Sequence, residues 1–358
     1  MDENFGSWSV LTVSFLMTLY IALGGVTLAS VLHLINAQWR FQVRFIAVAT
    51  AALFPLAGVL LIILLINGES TFTWLATAHD GDHHLPGWHN YTFLVFREIG
   101  GFVGIVALYL MFIKYQHLAS VDDKYKRKFR NIALLIPFAY FIYGSMVAWD
   151  FEMTQVPGWH SANYGAYNFQ SGFHMFLAFF TVLLYFLNRS GLMVKETPIY
   201  IYNFLAQFML AMTILWTYLY FTQYLIMWYG RLPSNMDRFD AMMHYDLSIL
   251  WWTFLVCKFV IPFVTFVINP NRHNPTTVMV VACFIIFGYW IERYTWIQGS
   301  SMEPQFFHMP MTSFFDIIVT ALVIAAGYFS MKKVLLHYGL IHNRQGKAIE
   351  KKSAEQSA

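Results

Sequence analysis

Two carboxylates stand where an apolar stretch of the sequence ends, in the segment MVAWDFEMTQVPGWHSANYGAYNF from Met146 to Phe169. Asp150 directly follows Trp149, and Glu152 comes two residues later. A carboxylate at the end of a membrane helix is ordinarily solvated by the headgroup region, and this interpretation suits Glu152 best. An acid walled by aromatic side chains can instead exchange protons. We therefore expect Asp150→Asn to impair function and Glu152→Gln, nearer water, to do much less.

Other ionisable residues are predicted to lie at the depth of Asp150, near the ends of other apolar helices. They are Arg97, Glu98, His174, His244, Asp246, Glu292, Arg293 and Asp316. A single charge near a membrane interface is ordinary, whereas charges from six helices at one level indicate a polar pocket. Apolar walls with a few acids, a histidine and an arginine suit a planar, lipid-soluble ring such as a quinol. We predict a quinone-like pocket formed by Trp149, Arg97, Glu98, Tyr220, Asp246 and Glu292, with proton transfer by Asp150, His174 and Lys258.

The sixth apolar segment, LWTYLYFTQYLIMWYGRLP, places aromatic residues at helical spacing near the same depth. Trp216, Tyr220, Gln223 and Tyr224 could line the predicted pocket. The same spacing is also typical of an aromatic belt at the membrane interface and of ordinary core packing. Periodicity does not separate these interpretations.

Lys258 lies ~20 Å down the seventh apolar helix by the rise of a helix per residue. Pro262, four residues on, cannot donate to the carbonyl of Lys258, so a kink is predicted there. One interpretation is that Lys258 extends its amine to the inner interface. The other makes Lys258 the inner end of a proton path whose outer end is Asp150, because a desolvated lysine exchanges its proton more readily.

The elements that must position these residues are membrane helices. The chain of 358 residues is 58% hydrophobic and 11% charged, which is typical of a membrane protein. We predict an all-α, polytopic bundle, because apolar runs of about 20 residues can cross the bilayer as helices. The predicted spans are Trp8–Ile35, Val43–Ile66, Phe93–Tyr115, Asn131–Trp149, Gln170–Leu187, Tyr200–Trp228, His244–Ile268, Thr276–Tyr294 and Ser313–Leu335.

Positive charge is sorted by loop. Most of the 22 Lys and Arg residues follow the first, third, fifth and seventh spans or lie near the C-terminus. The positive-inside rule then places the N-terminus outside and the C-terminus in the cytoplasm. Residues 1–337 are predicted to form the transmembrane domain and residues 338–358 a polar cytoplasmic tail.

The net charge of +3 is too small to indicate a nucleic-acid partner. The basic run from Lys124 to Arg130 predicts contact with lipids.

The sequence offers few ligands for a redox centre. Cys257 and Cys283 stand alone, without the spacing of an iron–sulfur or covalent haem site. A haem held by His174 and His244 is sterically conceivable, but a lone helix histidine is more often a satisfied polar group or proton relay. We predict that the chain alone binds no haem or cluster and needs partners that do.

Three segments resemble the ActF subunit of alternative complex III, a member of the NrfD-like superfamily that includes polysulfide-reductase anchors. They are MVAWDFEMTQVPGWHSANYGAY, LWTYLYFTQYLIMWYGRLPSNMDRF and HNYTFLVFREIGGF. The resemblance implies two four-helix bundles with extra helices, in a complex that oxidises menaquinol or ubiquinol and reduces cytochrome c. It is carried most directly by Trp149, Asp150, Pro157, Trp159, Ser161 and Tyr167. Nine predicted helices instead of ten, together with Glu152 and His160, depart from the family pattern.

The resemblance also implies a bacterial inner membrane, with the N-terminus in the periplasm, and it implies partner subunits. These are a homologous ActC-type membrane subunit, a periplasmic iron–sulfur subunit, multihaem and monohaem cytochrome c subunits, and a terminal oxidase as acceptor. The ActC-type subunit is the stronger candidate for the working quinol site, which leaves proton conduction or a structural role for this chain. Two alternatives stay open: a structural anchor for a periplasmic redox enzyme, and a proton-coupled transporter. The prolines show no matched pair of broken helices, which a transporter usually has.

Overall fold

The computed structural model describes residues 5–77, 87–230, 233–299 and 308–342. Within these residues, nine helices are long and apolar enough to cross a membrane. The all-α, polytopic prediction is therefore confirmed, and the chain is a multi-pass membrane protein. Spans 1 to 9, in chain order, are Gly6–Leu34, Arg40–Ile66, Tyr91–Val121, Asp123–Met153, Tyr164–Arg189, Ile199–Gly230, Ser248–Val267, Pro275–Gln298 and Phe314–His337.

Several helix starts have a clear local cause. The side chain of Asn90 caps span 3 by accepting from the backbone N–H of Phe93, and Asn274 caps span 8 in the same manner. Pro275 then occupies the first turn of span 8, where its missing N–H costs nothing. The predicted seventh span began too early, because residues Pro233–His244 form a separate short helix before span 7.

The spans pack as two four-helix bundles with one additional helix. Spans 1 to 4 contact one another in a closed ring, and spans 5 to 8 form a second ring. Spans 1 and 4 pack against span 5, which joins the two bundles, and span 9 lies against spans 1 and 2. Span 1 is the central helix, since 89% of its most apolar window is buried, compared with 11% for span 9.

Three spans depart from regular α-helix. Span 2 contains a 3₁₀ turn, Ala49–Leu53, just before Pro55. Span 4 ends in a π-turn, Trp149–Met153, and span 7 contains a second π-turn, Val256–Val260. The irregularity predicted around Pro262 is thus a π-turn that ends two residues before it. Such turns are frequent at functional sites because they re-aim side chains.

Residues 338–342 are held by backbone contacts. The N–H of His342 donates to the carbonyl of Leu192 at 2.7 Å, and the N–H of Val194 donates to the carbonyl of Leu340 at 3.2 Å. Leu340 to His342 are therefore packed against the loop between spans 5 and 6, whereas Tyr338 and Gly339 are exposed. The polar extension predicted from residue 338 thus begins with a packed segment. The remainder of the predicted tail lies outside the described residues.

Candidate functional site

The π-turn at the end of span 4 aims its two carboxylates into different bundles. Asp150 and Glu152 are both fully buried. Asp150 pairs with Arg97 of span 3, whereas Glu152 pairs with Arg293 of span 8. Residues two apart on a helix point in nearly opposite directions, so neighbouring acids can serve opposite bundles. The single pocket predicted from sequence is consequently two separate clusters.

The first cluster, Trp88, Arg97, Glu98 and Asp150, lies between spans 3 and 4. Arg97 donates two hydrogen bonds to Asp150, from Nε to Oδ2 at 2.6 Å and from Nη2 to Oδ1 at 2.5 Å. Trp88 Nε1 also donates to Asp150 Oδ1, at 2.7 Å. The guanidinium of Arg97 lies 4.1 Å from the centre of the Trp88 ring. The two hydrogen bonds of this bidentate pair fix the orientation of the Asp150 carboxyl group.

Two further residues border the first cluster. The Trp149 ring makes an edge-to-face contact with Trp88, which gives it a place in the wall of the cluster. His89 lies between Trp88 and span 3, and its Nε2 is 3.3 Å from the carbonyl of Thr154. Partial burial lowers the pKa of His89 below its ordinary 6.5, although the Thr154 contact opposes this shift.

The second cluster is an ion-pair chain of four fully buried residues, Glu152, Arg293, Glu292 and Lys258. Arg293 Nη1 lies 2.6 Å from Glu152 Oε2, and Arg293 Nη2 lies 3.1 Å from Glu292 Oε1. Lys258 Nζ lies 2.5 Å from Glu292 Oε2. The charges alternate in sign from the end of span 4, through span 8, to span 7.

Uncharged donors complete the coordination of this chain. Glu292 accepts hydrogen bonds from Tyr167, from Trp216 Nε1 at 2.8 Å and from Ser171 at 2.8 Å. Glu152 accepts from Tyr164 at 2.5 Å and from Asn168 Nδ2 at 2.7 Å. Buried charges persist only when such partners replace water.

Of the other two residues predicted to transfer protons, Lys258 belongs to this chain and His174 lies beside it. Lys258 is about 15 Å into span 7 when counted from Ser248, and its amine also donates to Ser171 at 2.6 Å. The alternative that it reaches the interface was wrong, because the amine is fully buried and pairs with Glu292. A proton path that includes Lys258 stays a prediction, although Asp150 lies in the other cluster. His174, one turn beyond Ser171, has its Nε2 3.3 Å from Thr213 Oγ1.

Other sequence predictions are corrected by the structure. Glu152 is as buried as Asp150, so the expectation that it lies nearer water was wrong. Asp246 is exposed and joins neither cluster. Tyr220 stacks on Trp216 and accepts from Trp251 Nε1, which leaves it one ring away from Glu292. Asp316 is buried beside Tyr294, apart from both clusters.

The histidine pair considered for haem is not assembled. His174 is buried inside the second bundle, whereas His244 is exposed at the end of the short 233–244 helix. His244 instead lies 3.7 Å from Asp240 on that helix. Among the described residues, no group of three or more His, Cys, Asp or Glu side chains is placed to hold a metal ion.

Sequence reasoning missed Arg238, which closes the end of the ion-pair chain where Glu152 lies. Its side chain is fully buried, and Nη2 donates to the carbonyls of Glu152 at 2.6 Å and Trp296 at 3.0 Å. The guanidinium also lies 4.6 Å from the centre of the Trp159 ring. Burial lowers the pKa of Arg238 to about 10. An arginine in a short polar helix looks solvated in sequence, and only the packing of that helix distinguishes it.

No protein-family model matches the chain, and no curated protein matches it. The resemblance to the alternative complex III subunit therefore stays a prediction. The second cluster brings two acids, a lysine and the hydroxyl groups of Tyr164, Tyr167 and Ser171 into contact. The first cluster places two acids beside one arginine.

Proposed function

We propose that this chain is the proton-carrying membrane subunit of a quinol-oxidising respiratory complex of the alternative complex III type, in a bacterial inner membrane. The observation that carries the proposal is the ion-pair chain, whose four charges are all fully buried between helices. The resemblance found in the sequence supplies the class of complex. The geometry of the ion-pair chain supports the part that we propose for this protein in the complex.

Buried charges argue for function because they contribute little net stability. Desolvation of two ions largely offsets their attraction, and apolar residues of similar volume often stabilise a protein as well or better. In a membrane, ionisable residues that face the interior of a bundle commonly mark proton or ion pathways. A chain of Glu, Arg, Glu and Lys contains two carboxylates and an amine that can exchange protons, linked by an arginine that stays charged.

The surrounding groups extend this chain along the bundle. Glu152 lies at the end of span 4, and Ser171 bridges Glu292 and Lys258 about 10 Å into span 5. His174 lies one turn further on the same side of span 5, because residues three apart on a helix are neighbours. Proton transfer would therefore pass from His174 through Lys258 and Glu292 toward Glu152 and the 233–244 helix.

We assign quinol binding and electron transfer to partner subunits. The residues predicted to line a quinone-like pocket are divided between two clusters or exposed, so they do not fit one quinone ring. A homologous ActC-type membrane subunit would bind the quinol, and iron–sulfur and cytochrome c subunits would carry its electrons. This chain would move protons when the quinol bound by that partner is oxidised, which requires contact between the two membrane subunits.

The test is proton translocation by the intact complex. We expect the complex, purified in mild detergent, to contain an iron–sulfur subunit and a multihaem cytochrome and to reduce cytochrome c with quinol. In proteoliposomes, Glu292→Gln should lower the number of protons moved per electron while quinol oxidation continues. Asp240→Asn, which removes a carboxylate from an exposed pair, is the control and should keep the wild-type ratio.

Each alternative has its own outcome. An unchanged proton ratio in an assembled Glu292→Gln complex would contradict proton carriage and favour a structural anchor. Purification of the chain without redox partners, together with solute uptake driven by a proton gradient, would favour a transporter.

A further inference from the structure

The first cluster contains a buried acid that the ion-pair chain does not use. Glu98 follows Arg97 on span 3 and is fully buried. Among the described residues, none donates a hydrogen bond to either of its carboxyl oxygens. Its carboxyl group lies beside that of Asp150. The protein therefore places two acids beside a single arginine in a site buried from bulk water.

The hydrogen bonds of Arg97 pair it with Asp150 and not with Glu98. Both hydrogen bonds from Arg97 to a carboxylate go to Asp150, and the remaining Nη1 donates to the carbonyl of Trp88 at 3.1 Å. An ionised Glu98 would be an unpaired charge inside the bundle, which carries a large desolvation cost. Two carboxylates cannot bond to each other, since each only accepts, whereas a protonated acid can donate to its neighbour.

The buried hydroxyl of Tyr143 is a second group near Glu98 and Asp150. The hydroxyl of Tyr143 on span 4 has no hydrogen-bond partner among the described residues, and it interacts electrostatically with Glu98 and Asp150. Gly101, three residues after Glu98 on span 3, permits this approach. A Cβ atom there would lie 2.9 Å from the Tyr143 ring.

We propose that Glu98 is a proton-binding site that holds one proton as a neutral acid, shared with Asp150 and released when the Arg97–Asp150 pair opens. Asp150, Arg97 and Tyr143 face the acid, and His89 faces Asp150 from the segment before span 3. Opening the pair frees the guanidinium to neutralise Glu98 as it ionises. The half-buried His89 ring then links Asp150 to the end of the bundle where span 3 begins.

This inference deepens the proposed function, because a proton-carrying subunit needs a group that loads and unloads a proton. Its location in the first bundle makes it separate from the ion-pair chain of the second. The site can therefore be tested without turnover. A proton ratio unchanged by Glu292→Gln would overturn the proposed function and leave the occupancy of Glu98 unaffected.

The test is infrared spectroscopy of the full-length protein near neutral pH, in ordinary and heavy water. We expect a carbonyl band of a protonated carboxylic acid that shifts on deuteration and is lost in Glu98→Gln. The exposed acid Glu69 gives the control, since Glu69→Gln should keep the band. Glu98→Asp, which retains the acid if the glutamine variant fails to fold, should keep a band at a shifted position.

Two results would overturn the proposal. One is an identical carbonyl region in the wild type and in folded Glu98→Gln, which would mean that Glu98 is ionised at rest. The other is loss of the wild-type band when sodium chloride replaces choline chloride at equal ionic strength. That loss would mean that the site takes a sodium ion in place of the proton.

Discussion

At the scale of single residues, charge balance decides what a substitution in the ion-pair chain costs. Lys258→Met leaves Glu152, Arg293 and Glu292 with a net negative charge in a buried site. We expect a loss of about 3–5 kcal/mol, the usual range when one partner of a buried pair is removed. The double variant Lys258→Met/Glu292→Gln keeps the Glu152–Arg293 pair balanced and should recover most of this loss. Thermal unfolding in detergent measures both variants. An equal loss of stability in the single and the double variant would contradict the argument from charge balance.

His89 gives the site a dependence on pH. Burial lowers the pKa of His89 in the folded chain below the 6.5 of the unfolded chain. At a pH between the folded and unfolded pKa values, the unfolded chain therefore binds a proton that the folded chain does not. Its contribution to stability is therefore present above pH 6.5 and is lost as the pH falls. We expect the unfolding temperature of the wild type to drop more steeply than that of His89→Gln between about pH 7 and pH 5. Parallel curves would show that His89 titrates normally in the fold.

At the scale of elements, the π-turn of span 7 fits a gap left by Gly288 of span 8. A Cβ at Gly288 would lie 2.7 Å from Lys258 Cγ and 2.8 Å from Cys257 Cβ. Gly288→Ala should therefore push the two spans apart and cost about 1–3 kcal/mol by overpacking. The control is Gly104→Ala on span 3, where a Cβ meets nothing within 4 Å. Unfolding in detergent should separate the two variants, and equal stability would mean that span 7 moves freely.

At the scale of the whole molecule, orientation follows from the sorting of positive charge. We expect Asp246→Cys, exposed before span 7, to react with an impermeant maleimide in intact spheroplasts. Lys126→Cys, exposed at the start of span 4, should react only after permeabilisation. Both need a background without Cys257 and Cys283. The reverse pattern of labelling would invert the topology and with it the direction of the proposed proton path.

The sequence by itself determined the membrane class and the approximate spans. An apolar run of about 20 residues must satisfy its backbone groups internally in lipid, so it forms a helix wherever it lies in the chain. The types of residue in the site were also evident, since Arg97, Asp150, Lys258 and Glu292 are conspicuous within apolar segments. No comparable signal marked Arg238, because the polarity of its short helix is typical of a solvated surface.

Only the tertiary structure decided which charges meet. Glu152 and Arg293 are 141 residues apart, and Lys258 reaches Glu292 across 34 residues, so their pairing depends on how whole helices pack. The π-turn at Trp149–Met153 sends Asp150 to Arg97 and Glu152 to Arg293. Local sequence specifies neither the turn nor its partners, because the free energy of a buried charge depends on the opposite charge that distant helices bring to it.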